Sequence, residues 1–261
     1  MYFDTHMHLE PGDDVSGLTQ RAAEAGVTRM VAVGGTIEMN AAALAAAASR
    51  PDVFGAAVAF DRHVAETGGV GDLPALVAEV RGLLDRPGIV AVGETGLDYH
   101  YSPETAAEQK ALFGAQLDLA REKGLPVIVH SREAEADTLS MLGAQRTAWT
   151  HADEHMAVLH CFTGTADIAM ALIEQGVFIS FSGIVTFRNA DALREAAAAV
   201  PDEWLLLETD TPYLAPVPHR GKPNEPAYIP HIAAVLAAVR GVSIEHIAAI
   251  TTANAHRLFG L

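Results

Sequence analysis

Eight short apolar runs recur along the 261-residue chain, and helix-like segments separate them. The runs that we predict as strands are Tyr2–His6, Thr28–Val33, Val53–Ala59, Ile89–Glu94, Pro126–His130, Ala157–His160, Val177–Ser182 and Trp204–Glu208. Near-continuous apolar strands that alternate with helices are typical of a parallel sheet covered on both faces. Eight such units in about 250 residues favour an α/β fold of the (β/α)8 type, a TIM barrel, over an open doubly wound sheet.

The segments between the strands carry helix signals, and many of them are followed by a glycine, which is a common C-terminal cap. Among them are Gly17–Ala25, Leu73–Leu84, Thr105–Lys123, Ala166–Gln175 and Ala190–Val200. No Gly-x-Gly-x-x-Gly motif follows the first strand, where Asp4-Thr-His-Met-His8 stands instead. A dinucleotide-binding fold is therefore disfavoured.

Length and composition predict one domain over residues 1–261, because a chain that is 50% hydrophobic and 19% charged can bury a large core. Only about thirty residues follow the Pro-rich segment from Pro212 to Pro230, too few for a further domain. No signal-peptide pattern and no apolar run of about 18 residues is present, so we expect a cytoplasmic protein without a membrane span. Cys161 is the only cysteine, which excludes an intrachain disulfide. The oligomeric state stays open.

The formal net charge of -16 opposes broad binding to polyanions. Nonspecific affinity for nucleic acid comes mainly from Lys and Arg side chains that neutralise phosphates. Any contact with nucleic acid is therefore expected to be local.

Metal-binding side chains stand where several of the predicted strands end. They are His6, His8, Glu94, His130, His160 and Asp210. His6 and His8 are two residues apart, so on a strand both point to the same face and can hold one ion. In a (β/α)8 barrel the carboxyl ends of the strands meet and carry the chemistry, so all six side chains are expected to gather there. Burying so many ionisable groups without a cation would be costly, which favours a metal site.

Six protein ligands exceed what one catalytic ion takes if it is to keep an open position for water or substrate. Two divalent ions fit better, and Glu94 is the natural bridging carboxylate between ions about 3.5 to 4 Å apart. Imidazole and carboxylate together suit Zn, Mn, Fe or, less comfortably, Mg, and the sequence does not choose among them. Asp4 shares a strand face with His6 and is expected to be a supporting or structural carboxylate rather than a ligand. Glu208 shares strand parity with Asp210 and is a candidate supporting group or additional metal contact, and a third ion near it stays open.

The full length of the chain resembles the TatD family of metal-dependent hydrolases, within the wider amidohydrolase-like barrels. The matching stretches are Phe3-Asp-Thr-His-Met-His-Leu9, Gly93-Glu-Thr-Gly-Leu-Asp-Tyr99, Pro126-Val-Ile-Val-His-Ser-Arg132, His160-Cys-Phe-Thr-Gly164, Ser180-Phe-Ser-Gly-Ile184, Leu206-Leu-Glu-Thr-Asp-Thr-Pro-Tyr-Leu214 and His219-Arg-Gly-Lys222. Asp-x-His-x-His alone is common to many barrel hydrolases, but the ordered set is specific.

The resemblance implies a divalent-metal-dependent phosphodiesterase that acts on DNA, typically releasing nucleotides from a 3′ end. By analogy, His6 and His8 hold one ion, His130 and His160 hold the other, and Glu94 bridges them. By the same analogy, Asp210 contacts metal and activates water. The chemistry agrees, because a carboxylate near a metal-bound water can accept its proton. Three cations near the predicted site are candidates to hold phosphate oxygens. They are Arg132, Arg220 and Lys222.

One departure from the family pattern follows the third strand. The family usually carries Gly-x-His-Pro there, whereas this chain has Ala59-Phe-Asp-Arg-His63. A histidine that faces the site is thus shifted or lost, and we assign no catalytic role to His63. The change leaves leaving-group contacts and substrate identity open.

Two rival functions stay open at this point. The same two-ion site would also suit an ester or amide hydrolase, such as a D-aminoacyl-tRNA deacylase, which the resemblance permits, or a small-molecule amidohydrolase. Some amidohydrolase relatives place a carboxylated lysine on the fourth strand, and Glu94 here favours the phosphodiesterase. A noncatalytic barrel is the other rival. Asp210 beside a complete ligand set argues against it, because a scaffold needs no general base.

Overall fold

A computed structural model describes residues 1–151 and 155–261 of the chain. Its eight strands form one sheet in sequence order, and each strand pairs in parallel with the next. The strands are β1 Tyr2–Met7, β2 Val27–Gly35, β3 Phe54–Phe60, β4 Ile89–Asp98, β5 Val127–Arg132, β6 Ala157–Leu159, β7 Val177–Phe181 and β8 Leu205–Leu207. A parallel bridge between Met7 and Thr211 joins the first strand to the segment that follows the last. The predicted (β/α)8 barrel is confirmed.

Helices lie between consecutive strands and after the last one. They are α1 Val15–Glu24, α2 Ile37–Ser49, α3 Arg62–Glu66, α4 Leu73–Leu84, α5 Ala106–Lys123, α6 Glu135–Ala148, α7 Ala166–Ile173, α8 Asp191–Ala199, α9 Ile229–Arg240 and α10 Ile244–Phe259. Side-chain caps start several of them, as where the Thr36 hydroxyl accepts a hydrogen bond from the Met39 N–H. Within the described ranges no single helix is long and apolar enough to cross a membrane, although the bent pair Pro226–Arg240 and Ile244–Phe259 meets that test jointly.

An apolar layer supports the carboxyl ends of the strands. Ile128, Val158 and Leu206 are buried in it, each two residues before a candidate site residue on the same strand face. Leu258 and Phe259 of α10 belong to the same cluster. The candidate site therefore stands on a packed core and not over an open channel.

The fourth strand differs from its prediction. We expected it to end at Glu94, but it continues to Asp98, so Glu94 lies inside the strand. The pairing with β5 shifts between Val92 and Thr95, as in a β-bulge, and then resumes through Asp98 opposite Arg132. Gly96 permits the close approach of β4 to β5 at His130. It has a φ of +144°, and a Cβ there would lie 2.0 Å from the His130 carbonyl oxygen.

Candidate metal centre

All six predicted ligands converge at one end of the barrel. The first group surrounds one carboxylate oxygen of Glu94. Its Oε2 lies 3.5 Å from Nε2 of His6 and 3.4 Å from Nε2 of His8, and these two nitrogens are 3.1 Å apart. Oδ1 of Asp210 lies 3.8 and 3.5 Å from the same nitrogens. The group thus has a common centre at which one cation would meet nitrogen and oxygen atoms.

The second group surrounds the other oxygen of the same carboxylate. Oε1 of Glu94 lies 3.2 Å from Nδ1 of His130 and 3.2 Å from Nε2 of His160, and the two nitrogens are 3.4 Å apart. The two oxygens of Glu94 therefore face two different histidine pairs. This is the geometry that a bridging carboxylate requires.

The outer ring nitrogens of three histidines have partners of their own. Nδ1 of His8 lies 2.9 Å from the Val33 carbonyl oxygen. Nε2 of His130 lies 3.0 Å from Oδ2 of Asp98, and Nδ1 of His160 lies 3.2 Å from Oε1 of Glu208. Such contacts fix the tautomer and the ring orientation of metal-ligating histidines. We did not single out Asp98 from the sequence, although it lies in the quoted Gly93–Tyr99 stretch and shares strand parity with Glu94.

Two buried polar atoms at this site have no hydrogen-bond partner among the described residues. They are Nδ1 of His6 and Oε2 of Glu208. His6 stacks on His160, with ring centroids 3.9 Å apart, and both rings lie near Glu208. Unpartnered buried polar atoms are costly unless a ligand or ion satisfies them, so the donor set fits cation binding.

The ionisable groups of the site perturb one another strongly. Burial acts to lower the pKa of His8, but the Asp210 and Glu94 carboxylates raise it to about 10. Burial acts to raise the pKa of Glu94, yet His160, His130 and His6 hold it well below its usual range. A cation that binds here has to displace protons from the imidazoles, so its affinity falls as the pH falls.

The buried carboxylates Asp4 and Glu208 have different surroundings. Oδ1 of Asp4 accepts from the Thr209 backbone N–H at 2.9 Å, and Oδ2 accepts from the Thr209 hydroxyl at 2.6 Å. Burial raises the pKa of Asp4 to about 7, against the hydrogen bonds from Thr209. Asp4 therefore ties β1 to the segment after β8, whereas Glu208 contacts a candidate ligand directly. Asp4 takes the structural role that its position suggested.

The three predicted phosphate contacts lie on loops or strand ends at the site's end of the barrel. The Arg132 guanidinium carbon lies 4.8 Å from the centre of the Tyr101 ring. Arg220 covers the Phe187 ring at 3.7 Å and lines a cavity of about 680 Å³ with Phe187, Arg188, Asn189 and Val217. Lys222 is exposed.

The histidine of the unusual segment after β3 is exposed and pairs with a neighbouring carboxylate. Asp61 caps α3, and its carboxylate lies 3.1 Å from Nδ1 of His63, whose side chain is 55% exposed. Arg62 points inward instead, and its Nε lies 3.3 Å from Oδ2 of Asp98. The chain thus places a guanidinium, not an imidazole, behind the carboxylate that contacts His130.

The model of the TatD-related DNase family matches residues 3–260. The chain is 50% identical over 183 residues to an uncharacterised metal-dependent hydrolase, YcfH, of Escherichia coli strain K12, covering 70% of this chain and 67% of that one. It is 36% identical over 251 residues to the 3′-5′ ssDNA/RNA exonuclease TatD of Dickeya dadantii strain 3937, covering 94% and 92%.

Among solved structures, YJJV, a TatD homologue from Escherichia coli K12, has a TM-score of 0.87 at 29% identity, covering 100% of this chain and 98% of that one. The family match extends over nearly the whole chain, and the likeness includes sequence as well as fold. The resemblance inferred from the ordered motifs is therefore confirmed. The chain belongs to the TatD-related DNase family of metal-dependent hydrolases.

Proposed function

We propose that the protein is a divalent-metal-dependent phosphodiesterase that removes nucleotides from the 3′ end of single-stranded nucleic acid, with DNA as the expected substrate. The observation that carries this proposal is the arrangement around Glu94, whose two oxygens face two separate histidine pairs. A relative named as a 3′-5′ ssDNA/RNA exonuclease shares 36% identity over almost the full length, which supports the substrate class.

The distances from the two Glu94 oxygens divide the ligands between two proposed ion sites. His6, His8 and Asp210 would hold one ion, His130 and His160 would hold the second, and Glu94 would contact both. Ions held there would lower the pKa of a coordinated water to about 7 and would stabilise charge on the phosphate oxygens. The nitrogen-rich donor set favours Zn or Fe over Mg, and the carboxylates beside the imidazoles also admit Mn.

Asp210 is the proposed proton acceptor. Its backbone N–H donates to the His6 carbonyl at 2.9 Å, which holds the residue beside the first strand. Oδ1 faces the histidine pair of the first group, where a water that attacks phosphorus would stand. A carboxylate there would accept the water proton as the water oxygen bonds to phosphorus. The bond between that phosphorus and the leaving ester oxygen would then break, and the leaving oxygen would take up a proton from solvent as the 3′ nucleotide departs.

Substrate binding is proposed to rest on local cations, because the net charge is -16. Arg132, Arg220 and Lys222 lie toward the site's end of the barrel and would contact phosphates. A strand end reaches a site at one end of a barrel more readily than a duplex interior does. We further propose that residues 1–261 act as one catalytic domain and that the protein works in the cytoplasm.

A substrate panel tests the proposal. Protein stripped of metal and reconstituted with Zn²⁺, Mn²⁺ or Mg²⁺ is assayed on 5′-labelled single-stranded DNA and RNA, on a D-aminoacyl-tRNA and on p-nitrophenyl acetate. We expect metal-dependent shortening of the oligonucleotides from the 3′ end, blocked by phosphorothioate linkages at that end. Hydrolysis of the ester substrates with intact oligonucleotides would overturn the proposal in favour of an ester hydrolase on the same site.

A further inference from the structure

An exposed tyrosine is linked to the candidate metal centre through Asp98. Tyr101 follows β4, and 60% of its surface is exposed, although it is a large aromatic residue. Its backbone N–H donates to Oδ1 of Asp98 at 2.9 Å. The other oxygen of that carboxylate lies 3.0 Å from Nε2 of His130. One carboxylate thus fixes the start of the Tyr101 loop to a candidate metal ligand.

Two guanidinium groups lie over the Tyr101 ring, and they differ in how their charge is balanced. Arg62 lies 4.9 Å from the ring centre, is 19% exposed, and contacts the carboxylates of Glu66 and Asp98. Arg132 lies 4.8 Å from the ring centre, and over residues 1–151 and 155–261 no carboxylate lies within ion-pair distance of it. Arg62 therefore holds the ring and Asp98 in place, whereas Arg132 keeps its positive charge available.

We propose that Tyr101 and Arg132 form the subsite for the terminal nucleotide of a single-stranded substrate. The base stacks on the part of the Tyr101 ring that the two guanidiniums leave exposed, and Arg132 contacts a phosphate oxygen. Arg62 acts as a positioning residue for both the ring and Asp98. The inference rests on the proposed exonuclease function and adds to it the residues that hold the nucleotide. Stacking tolerates any sequence because every base has a π-face, as a nonspecific exonuclease requires.

A second exposed tyrosine offers the rival location. Tyr213 is 52% exposed, and its ring centroid lies 6.1 Å from that of His8. It stands on the side of the site that carries Asp210, and no guanidinium lies over its ring among the described cation–ring contacts. A nucleotide needs both a base contact and a phosphate contact, so Tyr101 is the better match.

Binding measurements with paired ligands test the subsite. The ligands are two fluorescent single-stranded oligonucleotides, one with an ordinary 3′-terminal nucleotide and one whose 3′-terminal nucleotide is abasic. The protein carries Asp210→Asn to slow turnover and is kept at saturating Mn²⁺. Tyr101→Leu should weaken binding of the ordinary oligonucleotide by about 5- to 100-fold. It should change binding of the abasic oligonucleotide by less than about 2-fold, because the stacking partner is already missing there.

Matched variants separate stacking from a structural role. Tyr101→Phe retains the ring and should keep most of the affinity. Arg132→Gln should lower the affinity for both oligonucleotides alike and reduce the slope of log affinity against log salt by about 0.7. If Tyr101→Leu lowers the affinity for the two oligonucleotides equally, the proposed subsite is overturned. It is also overturned if Tyr213→Leu, and not Tyr101→Leu, lowers the affinity for the ordinary oligonucleotide alone. If the parent protein binds neither oligonucleotide, the proposed nuclease function fails as well, and that result is distinguishable from the other two.

Discussion

Single side chains decide the chemistry that this site can perform. Glu94 contacts four imidazoles with its two oxygens, and removal of either oxygen would leave one histidine pair without its shared partner. Cys161 lies next to His160, but burial raises the pKa of its thiol well above the usual range. A thiol that stays protonated is a poor nucleophile, so hydrolysis by water fits the site better than a covalent intermediate on sulfur.

The first residue-level prediction concerns Asp210. Asp210→Asn keeps the size and much of the hydrogen bonding but removes the proton acceptor, so turnover should fall by about a hundredfold or more. The fold should persist, because the backbone hydrogen bond to His6 is unaffected. Steady-state rates and thermal melts measured together check this. Near-normal turnover in a well-folded variant would mean that another group accepts the proton.

The second residue-level prediction concerns Asp98. Asp98→Asn removes the charge that faces Nε2 of His130, so the affinity for divalent metal should fall by about 10- to 100-fold. Competition with a fluorescent chelator measures the affinity. Asp137→Asn is the matched control, because Asp137 accepts from the Tyr99 hydroxyl at 2.6 Å and has no histidine partner in the described structure. Equal affinities for the two variants would contradict a supporting role for Asp98.

At the level of elements, the sequence predicted the strands but not the side-chain contacts between neighbouring strands and loops. The apolar runs located every strand, and the spacing of His6 and His8 predicted their shared face. The bulge after Val92 was not predictable, because it depends on how β4 fits against β5 and on the space that Gly96 leaves. For the same reason the reach of Asp98 to His130, and of Arg62 to Asp98, could not be inferred from spacing alone.

Buried amides on helices hold strand ends in register, and Gln116 of α5 offers a test. Its side chain accepts from the Phe60 N–H at 2.7 Å and donates to the Phe60 carbonyl at 2.8 Å. Gln116→Leu leaves both backbone groups buried without partners, which should lower the free energy of unfolding by about 2 to 4 kcal/mol. Urea unfolding measures it, with the exposed Gln20→Leu as a control expected to stay within about 0.5 kcal/mol. A loss below that control value would show that the Phe60 groups find other partners.

The molecule as a whole is acidic, yet its proposed substrate is a polyanion. Productive contact then depends on metal ions and a few cations at one end of the barrel. Each phosphate neutralised on a single strand contributes about -0.7 to the slope of log affinity against log salt. Two or three contacts should therefore give a slope of roughly -1.4 to -2.1. Titration of the Asp210→Asn protein with a fluorescent oligonucleotide across salt concentrations checks this, and a slope steeper than about -4 would reveal an extended basic surface.

The metal content of the active protein tests the two-ion site most directly. The convergence of His6, His8, Glu94, His130, His160 and Asp210 predicts about two equivalents of divalent metal per chain at saturation. Elemental analysis of the metal-saturated enzyme, after removal of loosely bound ions, measures this number. His130→Ala should reduce the bound metal by about one equivalent if each histidine pair holds its own ion. Saturation below about 1.5 equivalents in the unmodified protein would contradict the two-ion site and leave a mononuclear centre.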